Sequence, residues 1–236
     1  MILVLASAAD TAAAAFAREL AGVADVVALT CRDLAQNRTV LHYPDFAASA
    51  LQVGDRTICV DEIDGAINVL PAVFPEELTF FPPEEREYQT AEFHALLTFF
   101  LRAVRCPVIN RPAAGNLAGP WAGPLAWLHL AQSCGIPTAP IQIDTEDFAN
   151  PFAASPSADA FEVSCLGGSM VVSSGTVADH HTLALSQRAQ LDYLRAVYRT
   201  GSGAPELLMV RTAPDLAGDA TRRALIEFFA RPRQRT

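Results

Sequence analysis

The sequence predicts an α/β protein with a parallel sheet at its N-terminus. Ile2–Ala6 is a short apolar run, and the alanine-rich stretch Thr11–Ala21 follows it after two capping candidates, Ser7 and Asp10. Val26–Leu29 is the next apolar run. A strand, a helix and a second strand joined by tight loops are typical of a parallel α/β sheet. The loop from Ser7 to Asp10 has no glycine, so we expect no dinucleotide there.

Short apolar runs and turn residues continue this pattern toward the middle of the chain. Val40–Tyr43 is predicted to be extended, and Leu51–Val60 to form two short strands around a turn at Gly54-Asp55. Ala66–Leu70 is predicted to be a buried strand. The clearest helix is predicted at Tyr88–Val104, because its apolar residues recur at helical spacing and form one wide stripe.

Charge and turn residues define the next elements. A solvated face ahead of the long helix is predicted from three glutamates: Glu84, Glu85 and Glu87. Pro107–Asn110 is predicted to be a strand, and Gly119–Cys134 a helix with Pro120 near its first turn. Residues 144–160 are rich in Asp, Ala, Ser and Pro and form the best candidate for a linker or mobile loop.

The last third of the chain predicts a compact C-terminal region. Phe161–Ser174 is predicted to be a hairpin around Gly167-Gly168. The elements after it are predicted to be an amphipathic helix, a strand and a helix: Leu183–Tyr198, Glu206–Val210 and Ala220–Ala230.

Composition excludes several classes of function. The 236 residues carry a net charge of −9, so nucleic acid is not expected as a partner. No apolar run approaches the roughly 20 residues that a membrane span needs, and we expect no membrane partner. The five cysteines are dispersed without a C-x-x-C pair, which argues against a disulfide framework and a structural zinc site. The cytoplasm is the expected location.

The chain contains no lysine, and all 17 of its basic residues are arginine. A Schiff-base lysine, a lysine general base and a P-loop lysine are therefore excluded. Asp179-His180-His181 is the most conspicuous cluster of potential metal ligands. Adjacent side chains diverge on a helix or a strand, so we expect these histidines in a loop or N-cap beside the following helix.

Three segments of the sequence, taken together, indicate a protein family. They are Asp61–Asn68, then Val108–Pro112 followed by Asn116 and a helix ending in Cys134–Pro140, and finally the glycine hairpin within Glu162–Val172. In order and character they resemble the ATP-grasp superfamily, specifically its RimK-like peptide ligases and peptide maturases. The resemblance implies a pre-ATP-grasp-like α/β domain at residues 1–143, a linker or mobile loop at 144–160, and a reduced ATP-grasp-like region at 161–236.

The sequence also departs from this family, and the resemblance is therefore to a truncated and degenerate member. The family has a whole subdomain, with lysines that hold the nucleotide phosphates, between the segments matching Pro140 and Phe161, where this chain has 20 residues. The Glu-x-Asn pattern of the family's magnesium site is not recognisable. Asp215 is the single acidic residue between Arg211 and Gly218, which is a poor cradle for two metal ions.

Three residues near the middle of the chain are candidates for ligand contact. Asn110, Arg111 and Asn116 follow the predicted strand Pro107–Asn110, which we expect to be an inner strand, and open α/β sheets bind ligands at such strand ends. In the alternative interpretation the two asparagines satisfy loop backbone and Arg111 makes a surface ion pair.

The preferred hypothesis is a non-catalytic ATP-grasp-like protein, a pseudoenzyme, that binds or scaffolds a protein partner beside a peptide-modifying ligase or associates with itself. It requires no cofactor. One alternative is an ATP- and Mg²⁺-dependent carboxylate–amine ligase that binds the nucleotide through arginines or completes its site across a dimer. A second alternative is a sensor of a small-molecule ligand.

Overall fold

The computed structural model describes residues 1–113, 115–120, 122–140, 159–172, 177–200 and 203–230. The chain forms two compact units, one made of Met1–Pro120 with Asp215–Thr236 and the other of Trp121–Pro214. This division falls at other places than the predicted boundaries at residues 143 and 161. Most of the predicted linker, residues 144–158, lies outside the described residues.

Strands and α-helices alternate only at the start of the first unit. Its strands are β1 (Ile2–Leu5), β2 (Val26–Leu29), β3 (Thr39–Val40), β4 (Ala50–Val53), β5 (Arg56–Cys59), β6 (Gly65–Asn68) and β7 (Val108–Ile109). Its helices in the first half of the chain are α1 (Thr11–Leu20), α2 (Cys31–Gln36) and α3 (Pro83–Ala103).

The second unit and the C-terminal helix complete the chain. The second unit contains α4 (Pro124–Ser133), β8 (Ala160–Leu166), β9 (Ser169–Val172), α5 (Val177–Ala189), β10 (Tyr193–Arg199) and β11 (Glu206–Arg211). The last helix, α6 (Asp219–Ala230), belongs to the first unit. None of the helices in the described ranges is both long and apolar enough to cross a membrane.

A four-stranded parallel sheet with the order β2-β1-β6-β7 organises the first unit, which confirms the predicted α/β class. A small antiparallel sheet, β3-β4-β5, includes the predicted hairpin with its turn at Gly54. The side chain of Asp10 caps α1 by accepting a hydrogen bond from the Ala13 amide at 2.9 Å. Because Leu3 and Leu5 of β1 are buried in one cluster with Leu97 of α3, the sheet and the long helix share a core.

Helix α6 packs against the same sheet. A Cβ atom placed on Gly65 of β6 would lie 2.4 Å from Cε1 of Phe229. Contact this close requires glycine, because real Cβ atoms do not approach other carbon atoms to such a distance. The last helix therefore belongs to the first unit, whereas the prediction had included it in the C-terminal region at residues 161–236.

The second unit is built on an antiparallel sheet with the order β11-β10-β8-β9. The hairpin around Gly167-Gly168 is confirmed, and both glycines have positive φ, 54° and 79°. Its first strand begins at Ala160, the last residue of the predicted linker. On one face of the sheet, Leu194 of β10 and Leu207 of β11 are buried in a cluster with residues of α4 and α5.

The prediction of one helix over Leu183–Tyr198 is wrong. The helix α5 ends at Ala189, and the residues Tyr193–Arg199 form β10 in the interior of the sheet. Gln190 has a φ of 55°, and this left-handed residue ends the helix. Five of the seven residues of β10 are buried, so its apolar residues do not alternate strictly and also match helical spacing. The region after the hairpin is therefore a helix followed by two strands.

Three helix starts also differ from the prediction, and that of α5, Val177, lies six residues before the predicted Leu183. Helix α3 begins at Pro83, so Glu84 and Glu85 lie in its first turn and Glu87 lies within it, not ahead of it. Helix α4 begins at Pro124, five residues after the predicted start at Gly119. In both helices a proline occupies the first position, where its missing N–H is not needed and its fixed φ suits the helix.

Candidate functional site

The carboxyl edge of the parallel sheet has one topological switch point. The chain passes from β1 to β2 on one side of β1 and later returns to β6 on its other side. Open α/β sheets bind ligands where the strand order reverses in this way, which here lies between the ends of β1 and β6. The predicted position is wrong in one respect, because β7, which precedes Asn110, lies at the edge of the sheet and not among its inner strands.

Asn68, the last residue of β6, closes the loops at this switch point. It is 1% exposed. Its Nδ2 donates to the carbonyl oxygens of Leu117 at 2.7 Å and Leu70 at 3.1 Å, and its Oδ1 accepts from the Leu70 amide at 3.1 Å. The Leu117 amide in turn donates to the Pro71 carbonyl at 2.8 Å. Sequence analysis missed this role, although a single asparagine at the end of an apolar strand was the available signal.

Arg111 lies at the C-terminal end of α3 and caps it. Its Nη1 donates to the carbonyl oxygens of Leu101 at 2.9 Å and Val104 at 3.0 Å, and its Nη2 donates to that of Cys106 at 2.6 Å. The last carbonyls of a helix have no partner within the helix, and a cation beside them is favourable. The guanidinium therefore closes the turn from α3 into β7, and neither a ligand contact nor a surface ion pair is needed to explain it.

The two predicted asparagines lie in the loop after β7. Asn110 is 1% exposed, and a Cβ atom on Gly119 would lie 2.6 Å from its Cβ. Asn116 exchanges backbone hydrogen bonds with Ala113 at 3.0 and 3.1 Å, and its Oδ1 accepts from the Ala118 amide at 2.9 Å. The structure thus brings the three predicted residues into one loop region, where Asn116 and Arg111 hydrogen-bond to backbone groups.

In the second unit, the sheet face that packs on α5 carries a buried polar pair. The hydroxyl groups of Tyr198 and Thr182 are 2.9 Å apart, and Thr182 also donates to the Ala178 carbonyl at 2.7 Å. Burial raises the pKa of Tyr198 to about 12. Burial also raises the pKa of the Cys165 thiol on β8, although a hydrogen bond with Ser186 partly opposes it. These groups stay neutral at pH 7 and belong to the core.

The opposite face of this sheet carries charges. Cross-strand register pairs Arg199 of β10 with Glu206 of β11, and their ion pair is 2.5 Å long. The same register pairs Arg195 with Arg211, and Arg195 contacts Glu162 of β8 at 3.3 Å. Residues that pair directly across strands project from the same face, so three guanidinium groups and two carboxylates share this surface. We call this set of five residues the arginine face.

The two histidines lie in the first turns of α5, and their predicted position before the helix is wrong. Burial lowers the pKa of His181, and the neighbouring His180 lowers it further. The Nδ1 atom of His181 is buried without a hydrogen-bond partner within the described part of the chain. Across those same residues, no group of three His, Cys, Asp or Glu side chains is placed to hold a metal ion.

Comparison with solved structures identifies the fold. The macrocyclase MdnC from Microcystis aeruginosa MRC, bound with precursor peptide MdnA, has a TM-score of 0.69 and 10% identity, over 98% of this chain and 99% of that one. The ATP-grasp ligase PsnB, complexed with minimal precursor, Mg and ADP, has a TM-score of 0.67 and 13% identity, over 97% and 96%. A RimK domain ATP-grasp protein from Sphaerobacter thermophilus has a TM-score of 0.51 and 11% identity, over 97% and 98%.

No protein-family model matches the sequence, and no curated protein matches it. The structural likeness therefore rests on shape. The chain has an ATP-grasp-type fold over nearly its whole length. Within that class it is similar to peptide-modifying ligases and to a RimK domain protein, which confirms the resemblance predicted from the three sequence segments.

Proposed function

We propose that this protein is a non-catalytic relative of peptide-modifying ATP-grasp ligases that binds a peptide or protein partner beside such a ligase. The fold supports the relation, and two of the similar structures, MdnC and PsnB, are complexes with precursor peptides. The activity proposed here is peptide binding and scaffolding without turnover of ATP.

The observation that carries the proposal is the use of Arg111. In a chain without lysine, an arginine at a strand end is the natural substitute for a phosphate-binding cation. The Arg111 guanidinium instead donates to three carbonyl oxygens at the end of α3, all within 3.0 Å. Both terminal nitrogens of Arg111 thus bond to backbone and stabilise the fold, which supports a structural role for this loop.

A second candidate function is an ATP-dependent carboxylate–amine ligase, and a specific observation favours it as well. The likeness to PsnB complexed with Mg and ADP extends over 97% of this chain. In this alternative, arginines such as Arg195, Arg199 and Arg211 would contact the phosphates, and Mg²⁺ would neutralise their charge.

Thermal unfolding with ATP separates the two functions. A ligand at a hundredfold excess over its Kd stabilises the folded state by about 2.7 kcal/mol. For a chain of this size that corresponds to a rise in Tm of roughly 5–11 °C. The non-catalytic function predicts no Mg²⁺-dependent rise with several millimolar ATP and no ADP release. A Mg²⁺-dependent rise accompanied by ADP release would overturn it in favour of the ligase.

Peptide binding needs its own test, because the absence of an ATP-dependent rise in Tm does not demonstrate it. A phage-displayed library of 12-residue peptides is selected against the immobilised full chain, and the enriched peptides are resynthesised. The proposal predicts 1:1 binding by calorimetry that is lost in scrambled peptides and unchanged by excess Mg·ATP. Failure of every resynthesised peptide to bind would contradict it.

The remaining parts of the proposal concern assembly and location. Self-association is part of it, and Tyr88 and Phe99 of α3 are exposed aromatic residues suited to such a contact. Sedimentation equilibrium over a hundredfold range of concentration tests it, and a constant monomer mass would contradict it. We place the protein in the cytoplasm, where its five cysteines, none of which forms a disulfide bond in the structure, stay reduced.

A further inference from the structure

The long helix α3 buries one side in the core of the first unit and has an apolar stripe on its outer side. Tyr88 and Phe99 are 65% and 44% exposed, and Ala91 and Ala95 between them are also exposed. Their spacing of three or four residues places all four side chains along one side of the helix. We call these four residues the α3 stripe. The outer side of a helix on a single core is normally polar, so an apolar stripe there indicates a contact surface.

Charged side chains border the α3 stripe, and their sign differs between its two ends. Glu84, Glu85 and Glu87 are exposed in the first two turns of the helix. Arg86 lies among them, but its guanidinium donates to backbone carbonyls of the segment before the helix. Arg102 is exposed in the last turn. The outer side of α3 is therefore acidic at its start, apolar in the middle and basic at its end.

We propose that the α3 stripe is the contact between two copies of this chain, whose α3 helices pack antiparallel about a two-fold axis. This inference rests on the self-association proposed above and assigns its surface. With the axis midway between Ala91 and Ala95, Ala91 of one copy lies opposite Ala95 of the other, and Tyr88 lies opposite Phe99. Alanines at the centre let two helix axes approach to about 8 Å, and the aromatic rings then cover both ends of the contact.

The same alignment pairs opposite charges at both ends of the contact. Glu84 and Arg102 lie at equal distances from the axis, about 14 Å along the helix, so each lies opposite the other in the second copy. Neither residue forms a salt bridge with any part of the chain that the structure describes, and Arg102 donates to the neutral carbonyl of Pro112 at 3.3 Å. A parallel alignment would bring the acidic first turns together. Charge complementarity therefore favours an antiparallel second copy as the occupant.

The size and symmetry of the contact define the assembly. Between Glu84 and Arg102 the helix rises about 27 Å, and a strip of that length and about 10 Å in width is smaller than the roughly 800 Å² per partner of a standard interface. We therefore expect a weak dimer that dissociates on dilution. Because a two-fold contact uses the same surface on both copies, the assembly closes at two chains.

Sedimentation equilibrium of charge variants tests this contact. Arg102→Glu places two glutamates together at each end of the interface, and Glu84→Arg places two arginines together. We expect each variant to weaken the dimer by roughly tenfold, since two attractive pairs per dimer become repulsive. An equimolar mixture of the two variants should restore the dimer as a heterodimer, because one partner then carries arginine at both positions and the other carries glutamate.

Two more variants complete the experiment. Asp55→Arg is the matched control, because Asp55 is exposed in the turn between β4 and β5 and the variant changes the net charge as Glu84→Arg does. Its dimer should be within about twofold of the unmodified one, as expected for distant charges that are screened by salt. Ala95→Gln keeps a good helix former on the exposed side of α3 but separates the two helices, and it should weaken the dimer by at least about tenfold.

The outcomes separate this contact from self-association in general. An unmodified chain that stays a monomer at every concentration would overturn both. A dimer that Arg102→Glu and Ala95→Gln leave unchanged would overturn the contact through α3 but not self-association. A mixture of Glu84→Arg and Arg102→Glu that fails to form the heterodimer would overturn the antiparallel alignment. Equal weakening in Asp55→Arg and Glu84→Arg would overturn the charge pairing, because the dimer would then respond to net charge.

Discussion

Replacement of Arg111 distinguishes a structural residue from a ligand-binding one. Arg111→Ala removes three hydrogen bonds of 3.0 Å or less, to the carbonyl oxygens of Leu101, Val104 and Cys106, and a longer one of 3.5 Å to that of Arg102. A hydrogen bond to a charged group contributes about 1.5–3 kcal/mol when buried, but carbonyls at a helix end can be rehydrated after the loss. We therefore expect a net loss of about 2 kcal/mol in the free energy of unfolding.

Thermal unfolding followed by circular dichroism measures this loss. In a domain of 150–250 residues, 1 kcal/mol shifts the Tm by about 2–4 °C, so Arg111→Ala should lower it by about 4–8 °C. Arg111→Lys keeps the charge but places a single ammonium where the guanidinium reaches three carbonyls. Its Tm should therefore lie between those of Arg111→Ala and the unmodified protein.

The control and the refuting result come from the same loop. Arg105 is exposed and two residues from the helix end, and its replacement by alanine should change stability by no more than about 0.5 kcal/mol. The reasoning is refuted if Arg111→Ala is as stable as Arg105→Ala. If that stable variant also loses a ligand-induced rise in Tm, Arg111 is a ligand-binding residue and the original sequence hypothesis for it is correct.

Three further perturbations test the packing and the buried titratable groups. Tyr198→Phe removes the hydroxyl that lies 2.9 Å from Thr182 and should cost about 1 kcal/mol in urea unfolding, whereas an exposed tyrosine would tolerate the change. Gly65→Ala should destabilise the protein, because its Cβ would meet the Phe229 ring at 2.4 Å. Phe229→Leu in the same chain should recover part of the lost stability. A Gly65→Ala variant of unchanged stability would contradict the packing of the last helix. Burial, followed by the charge of a nearby glutamate, raises the pKa of Cys31 from 9.0 to about 12. The folded state therefore holds this proton to higher pH than the unfolded state does, and the free energy of unfolding must fall as pH rises from about 9 to about 12. Urea unfolding at each pH should show a shallower fall for Cys31→Ala.

The local elements of the N-terminal half were predictable because their signals are local. Strands β1 and β2 and helix α1 follow from short apolar runs, a capping aspartate and tight loops, and the structure reproduces them within one or two residues. The hairpins at Gly54 and at Gly167-Gly168 were also predictable, since each turn needs residues with positive φ.

Strand β10 was not predictable from its own residues. It lies in the interior of the sheet, with partners from Ala160–Leu166 on one side and Glu206–Arg211 on the other. A strand that is buried on both faces loses the alternation that identifies strands, and only its distant partners decide its conformation. The one local clue was the pair of polar residues Gln190 and Asp192, where the helix ends and the chain turns.

The structural roles of the predicted site residues could not be read from the sequence for a related reason. Asparagine and arginine after a strand satisfy two needs equally well, contact with a ligand and closure of a loop. The sequence cannot show that Arg111 lies beside the end of α3, because that depends on how the chain reverses between the helix and β7. It also cannot show that Asn68 reaches Leu117, since 49 positions separate them.

Unused hydrogen-bonding capacity is the property that a ligand-binding side chain needs. The side-chain nitrogen of Asn68 donates to the carbonyls of Leu70 and Leu117, and its oxygen accepts from the Leu70 amide, so it has little left for a ligand. Arg111 directs both terminal nitrogens at backbone carbonyls. Arg211, in contrast, carries five N–H donors on an exposed side chain opposite another cation. Asn68 and Arg111 have thus already committed most of their hydrogen-bonding capacity to the fold, whereas the side chain of Arg211 is exposed.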